Sequence, residues 1–190
     1  MAMLAERRPP RPLDAAALDR LALRYVERFA TTQGKLVDYL RRKVRERGWE
    51  GEPADPTAIA ARMAALGYVD DRLYAESKAA SLARRGLGAR RVGAALRQAH
   101  VADVADDLAP DIAARALTAA LTFARRRRVG PFGPEVTDRA IRDRQLAAML
   151  RAGHPLDLCR RILAARDLSD LGLESDDEAA VEAFFLPRLA

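Results

Sequence analysis

Apolar residues recur along this chain at spacings of three and four, the period of one buried helical face. Nowhere do they alternate with polar residues as a half-buried strand requires. The first helix opens after Asp14, whose carboxylate suits the free amides of a first turn. It carries Leu18, Leu21, Tyr25, Val26 and Phe29 and ends near Ala30. Thr31 or Thr32 starts a second, with Leu36, Leu40 and Val44 inward, Asp38, Arg41, Arg42 and Arg45 outward, and Gly48 as its stop; Trp49 then plugs the core. Asp55-Pro56 opens a third helix lined by Ile59, Met63 and Leu66, because proline needs no amide partner in a first turn. Gly67 ends it, Tyr68 and Val69 enter the core, and Asp70 caps a fourth helix whose positive end favours Asp71. That helix runs to about Arg85. Gly86 and Gly88 turn the chain into a fifth, with Val92 and Leu96 inside and Arg90 and Arg97 outside.

Beyond residue 100 the pattern loosens. Pro110 starts or kinks a helix carrying Ile112, Leu117 and Leu121 and finishing in Arg125-Arg126-Arg127-Arg128, and VGPFGP breaks it. Thr137 caps a helix through Ile141, Leu146 and Leu150; Gly153 ends it, and Pro155 opens another with Leu158, Ile162 and Leu163. A short helix around Val181 to Leu186 follows an acidic, Ser-containing linker. The chain therefore reads as all-α with about eight to ten helices of ordinary length. Its opening differs: Pro9, Pro10 and Pro12 among Arg7, Arg8 and Arg11 make residues 1–12 an extended basic arm. Residues 25–47 and 74–98 both read aromatic, short turn, amphipathic basic helix, and 146–163 echoes them. This spacing favours tandem three-helix modules, at 13–50, 51–101 and 102–168, before the acidic end at 169–190.

Composition narrows the chemistry. With 190 residues, 49% of them hydrophobic, the chain can bury a core. One cysteine, Cys159, forms no internal disulfide, and with two histidines it cannot supply an ordinary structural zinc site. A reducing cytoplasm, no metal and no cofactor are the expectation. No run approaches the roughly 20 apolar residues that cross a bilayer, and the N-terminus has no apolar signal core, so no membrane partner is expected. Net charge is +6, concentrated early: residues 1–50 carry 12 basic against 7 acidic residues, and 151–190 carry 5 against 8. That balance suggests a polyanionic partner, although Arg in place of Lys also follows from a GC-rich genome.

Each candidate group has a plain structural reading beside the functional one. Asp70 and Asp71 could share a proton or a metal, but a helix cap and a dipole partner account for both. Tyr68 and Tyr74 could stack on bases, yet core packing explains them too. Cys159 has no nearby catalytic histidine, since His154 sits in a turn before Pro155. Four successive arginines at 125–128 splay around a helix end, where cations are favoured in any case. Stronger contact candidates are Arg41, Arg42 and Arg45 with Arg90, Arg91 and Arg97, which equivalent helices of successive repeats could align along one concave face. No phosphate loop, nucleophile elbow, HExxH or Cys/His cluster supports an enzyme. The exposed faces offer arginine rather than the varied base-reading side chains of a helix-turn-helix factor, which leaves a general nucleic-acid-binding helical module in view.

The stretch Leu66-Gly67-Tyr68-Val69-Asp70-Asp71-Arg72-Leu73-Tyr74-Ala75, followed by Arg84-Arg85-Gly86 and then Arg90, Val92 and Leu96, resembles the central signature of the RecX regulatory proteins, which modulate the RecA recombinase. RYVERFATTQGKLVDYLRRKVRERG is similar to their first repeat, and MLRAGHPLDLCRRIL resembles the third in outline. The resemblance implies an elongated array of three three-helix repeats in a monomeric, non-enzymatic regulator. Such a regulator binds RecA on single-stranded DNA and restrains its filament, ATP hydrolysis and strand exchange. It also implies that Gly67, Tyr68, Asp70, Asp71, Tyr74, Ala75 and Gly86 are structural, and that Arg84 and Arg85 join the contact candidates. His100-Val101 stands where the family has glycine before an aliphatic residue, and VGPFGPEVTD is an insertion.

Overall fold

Asp14 accepts the Ala17 amide at 2.7 Å and so fixes the start of α1, Ala15–Arg28. Thr32, rather than Thr31, does the same for α2, Gln33–Arg47, through the Lys35 amide. Asp55 accepts two amides at the start of α3, Pro56–Ala65, and Asp70 accepts the Leu73 amide at 2.8 Å to open α4, Asp71–Arg84. After α5, Ala89–Gln98, come α6, Ala102–Asp107, α7, Ala109–Ala114, and α8, Ala116–Arg127. α9, Arg139–Ala152, and α10, Leu156–Ala164, complete the set, with 3-10 turns at Gly130–Phe132 and Ser169–Leu171. The protein is all-α in this computed structural model, which describes residues 11–173. Most of the basic arm and the helix expected around Val181 lie outside the described residues. Among those residues the one β-like feature is a pair of bonds, Leu13 amide to Gly48 carbonyl and Glu50 amide to Leu13 carbonyl.

The chain forms two compact units. The first takes residues up to Tyr74 together with Ala99–Val101, and its core holds Leu13, Leu18, Ala22, Leu36, Leu40, Ile59, Met63 and Val69. Trp49 packs at the margin of that core, its indole N–H bonded to the Glu52 carbonyl. The returning segment is fastened at two points and ends on a buried residue. The Thr32 hydroxyl donates to the Ala99 carbonyl at 2.6 Å, the His100 ring meets Asp38 at 2.7 Å, and Val101 is buried. His100 stands at φ 59, the left-handed backbone that favours glycine. Gly34 makes room for the ring: a Cβ there would collide with the Cβ of His100.

The second unit packs α8, α9 and α10 around Leu121, Ala124, Val129, Met149, Leu158, Cys159 and Ile162. The first amides of α5 bond the turn that ends α9: Gly88 to the Ala152 carbonyl at 2.9 Å and Arg90 to the Gly153 carbonyl at 3.3 Å. Backbones this close leave no space for side chains, since a Cβ on Gly88 would lie 2.5 Å from the Gly153 carbonyl. Gly153 also has φ 98, so glycine is required there twice over.

Several expectations are corrected. Leu66 lies one residue past α3 and is 62% exposed, because the helix ends at Ala65 and Val69 fills the core instead. Tyr68 does not enter the core; it is 52% exposed, while its neighbour Val69 points inward. Phe29 follows the last turn of α1 in extended backbone and leaves the apolar stripe. The helix expected from Pro110 to the arginine run is two helices broken at Arg115, preceded by an unforeseen α6. α9 starts one residue late, because Asp138 and not Thr137 accepts the Ala140 and Ile141 amides; Ile141 is exposed.

Candidate functional site

The signature stretch divides into residues that build the fold and residues that face outward. Gly67 turns the chain at φ 78, Asp70 caps α4, and Ala75 is fully buried. Asp71 reaches beyond its own helix: its carboxylate accepts the Gln33 amide at 2.8 Å, so one side chain serves the starts of both α2 and α4. Tyr74 is half-buried, with its hydroxyl 2.7 Å from the Lys35 ammonium, which also lies 5.0 Å from its ring centre. Gly86 turns at φ 78 against the backbone of Phe123 in α8. Leu66, Tyr68 and the 60% exposed Leu73 have no part in either core and form an apolar outer set within eight residues of sequence. The periodicity of α3 gave no sign of this, because it does not say where a helix face ends.

The arginine candidates separate just as clearly. Arg41, Arg42 and Arg45 lie exposed on α2. Arg42 reaches Glu46 at 3.6 Å and lies 5.6 Å from the Tyr39 ring centre. Lys43 binds the same Glu46 at 2.6 Å, and these cations hold the Glu46 carboxyl below its usual range. Arg91 and Arg97 are exposed on α5, whereas Arg90 turns its guanidinium to the Leu150 carbonyl at 2.9 Å. Arg84 and Arg85 end α4, and their carbonyls receive the Arg126 guanidinium at 3.3 and 3.0 Å. Arg126 thereby satisfies carbonyls that the helix itself leaves open. Arg127 lies over Phe123, Arg125 is exposed, and Arg128 closes α8 in the left-handed conformation. Arg90 and Arg126 are thus bound to backbone in the second unit, while the α2 set is presented on the first.

The thiol of Cys159 and the ring of His154 are shut in. Cys159 is fully buried, and burial followed by the charge of Asp157 pushes its thiol up from the ordinary value. His154 is fully buried with Nε2 3.1 Å from the Gly86 carbonyl and its ring edge-on to Phe123. Because a carbonyl only accepts, Nε2 carries the proton. Burial lowers the pKa of this ring, against the Gly86 bond, so the ring is neutral near pH 7, and its Nδ1 has no partner among the described residues. Among the described residues no group of three His, Cys, Asp or Glu side chains is placed to hold a metal ion, and no helix is long and apolar enough to cross a membrane.

No family model and no solved structure matches this chain. A protein of Myxococcus xanthus (strain DK1622) named Regulatory protein RecX is 31% identical over an alignment 176 residues long that takes in 83% of this chain and 91% of that protein. The identity extends far beyond the signature, across both units, and is matched by an all-helical architecture. On this extent of similarity the chain belongs to the RecX family of regulatory proteins.

Proposed function

We propose that the protein is a non-enzymatic regulator that binds RecA filaments on single-stranded DNA and lowers their ATP hydrolysis and strand exchange. The observation that carries this is the relation to a protein named as a RecX regulator over most of both chains. In this reading the modules are 13–50, 51–101 and 102–168, and the protein works as a cytoplasmic monomer without a cofactor. Its contacts use exposed arginine for the acidic faces of the filament, Arg41, Arg42 and Arg45 first, with Arg91 and Arg97. The apolar set Leu66, Tyr68 and Leu73 supplies the non-polar part of a protein interface, where exposed aromatic and aliphatic side chains gain most from burial.

The net charge of +6 favours a second reading, a general nucleic-acid-binding module that acts through phosphates alone. One measurement separates the two. RecA ATP hydrolysis on single-stranded DNA should fall when this protein is added at a level well below that needed to coat the DNA, and the purified protein should hydrolyse no ATP itself. If the rate falls only once the DNA is saturated, the module reading replaces ours; an unchanged rate at every concentration removes the recombinase from the account.

A further inference from the structure

The second half of α1, the residue that follows it and the middle of α2 carry three aromatic rings in series: Tyr25, Phe29 and Tyr39. Tyr39 and Tyr25 stack with centres 4.1 Å apart and planes 19° from parallel, and Tyr25 meets Phe29 at 5.2 Å and 47°. The two tyrosines are half-buried against the first core; Phe29 is 53% exposed. A single exposed apolar residue needs no explanation. This one continues a two-ring stack and has cations on it: the Arg28 guanidinium lies 5.9 Å from the Phe29 ring centre, and Arg42 and Lys43 lie 5.6 and 5.9 Å from that of Tyr39. Glu46 engages Lys43 and Arg42, whereas Arg28 has no carboxylate partner among the described residues.

We propose that Phe29, backed by Tyr25 and Tyr39, is a stacking platform for a base of single-stranded DNA, with Arg28 and Arg42 holding the adjacent phosphates. A flat π-face accepts any base and so suits sequence-tolerant binding, and flanking cations complement a phosphate backbone but not an aliphatic protein surface. A duplex keeps its bases stacked on one another and cannot use the platform. The inference deepens the function proposed above, because the strand is the one on which the recombinase filament is assembled, and it places direct DNA contact on the first unit.

The test uses the full chain without RecA, a labelled oligodeoxythymidine and its duplex, read by fluorescence anisotropy. Phe29→Leu, which keeps an apolar side chain but loses the ring, should bind the single strand at least about five-fold more weakly, the low end of one lost stack. Phe29→Trp should bind at least as well as the unaltered protein. Arg28→Ala should flatten the dependence of log K on log salt by about 0.7, one phosphate contact on a single strand. Oligonucleotides carrying 5-bromodeoxyuridine should crosslink at Phe29 on irradiation. Equal binding by Phe29→Leu, equal affinity for duplex, or no binding by the unaltered protein overturns the platform. RecA ATP hydrolysis, measured separately, stays diagnostic of the proposed function: a Phe29→Leu variant that stops inhibiting RecA yet binds the bare strand normally makes the ring a protein contact and overturns this inference alone.

Discussion

The helix starts of the first unit and the seat of α5 in the second are anchored by different chemistry, although α9 in the second unit also opens on a local cap, Asp138. In the first, Asp14, Thr32, Asp55 and Asp70 each accept amides of the turn they begin, and Asp71 adds a second carboxylate at the start of α2. In the second, α5 starts on the carbonyls of Ala152 and Gly153, and Arg126 and Arg90 donate to the carbonyls of Arg84, Arg85 and Leu150. Asp71 apart, whose partner Gln33 lies 38 residues away, the first kind of anchor is local, a residue and the amide two or three positions on. The second joins residues about 41 to 68 apart in the chain and depends on two glycines allowing backbones to touch. An arginine-rich sequence therefore carries two sorts of arginine, and charge alone does not tell them apart.

The largest test of this contrast is Gly153→Ala. The new Cβ would stand 2.7 Å from the Arg91 amide at a backbone φ of 98, so the substitution combines left-handed strain with overpacking and should cost about 3 kcal/mol. Urea unfolding measures it, and a loss below about 1 kcal/mol would mean that α5 is not seated on this turn.

Acid sharpens the contrast next, because His154 is an anchor buried as the neutral ring. Its folded pKa lies below the ordinary 6.5, so as pH falls below 6.5 the unfolded chain takes up a proton that the folded chain does not. Stability should fall by at most about 1.4 kcal/mol per pH unit and level off once the pH passes the folded pKa. Glu46 and Asp167, whose carboxyl pKa values are lowered by their partners, lose their contributions only further into acid. Urea midpoints of the unaltered protein and His154→Gln, compared at pH 7.5 and 5.5, isolate the effect; parallel shifts in the two proteins would show that this ring does not titrate on unfolding.

The smallest stability effects compare the arginines directly. Arg126→Ala should cost about 1 kcal/mol, since it strips partly solvated bonds from the end of α4. Arg41→Ala, Arg42→Ala and Arg45→Ala should each stay within about 0.5 kcal/mol, yet together weaken association with RecA on DNA. Thermal melting and filament binding on the same variants decide between the roles. Equal melting of Arg126→Ala and the α2 triple variant would erase the distinction drawn here.

The same contrast explains what the sequence disclosed. From Asp14 to Gln98 the helix ends could be read within a residue or two, because caps such as Asp55 and stops such as Gly48 and Gly67 act on their immediate neighbours. The breaks at Leu108 and Arg115 were hidden, since neither residue caps a helix with its side chain. Outward placement of Leu66, Tyr68 and Phe29 was hidden for a related reason. Periodicity assigns a face while the helix lasts, and each of these residues stands just beyond one. The RecX signature was legible as residues, but the division of labour within it, and that between Arg90 or Arg126 and the α2 arginines, depends on carbonyls distant in sequence.

The return of Ala99–Val101 to the first unit orders events during synthesis. α1, α2 and α3 leave the ribosome first, yet the carbonyl that receives the Thr32 hydroxyl and the ring that pairs with Asp38 arrive only after residues 75–98 have been made. Translation at roughly 5–20 residues per second makes that a wait of seconds, whereas helices form in about a microsecond. The N-terminal helices thus spend this interval without these two fastenings. Closure of the first unit is timed by the length of chain inserted between its parts.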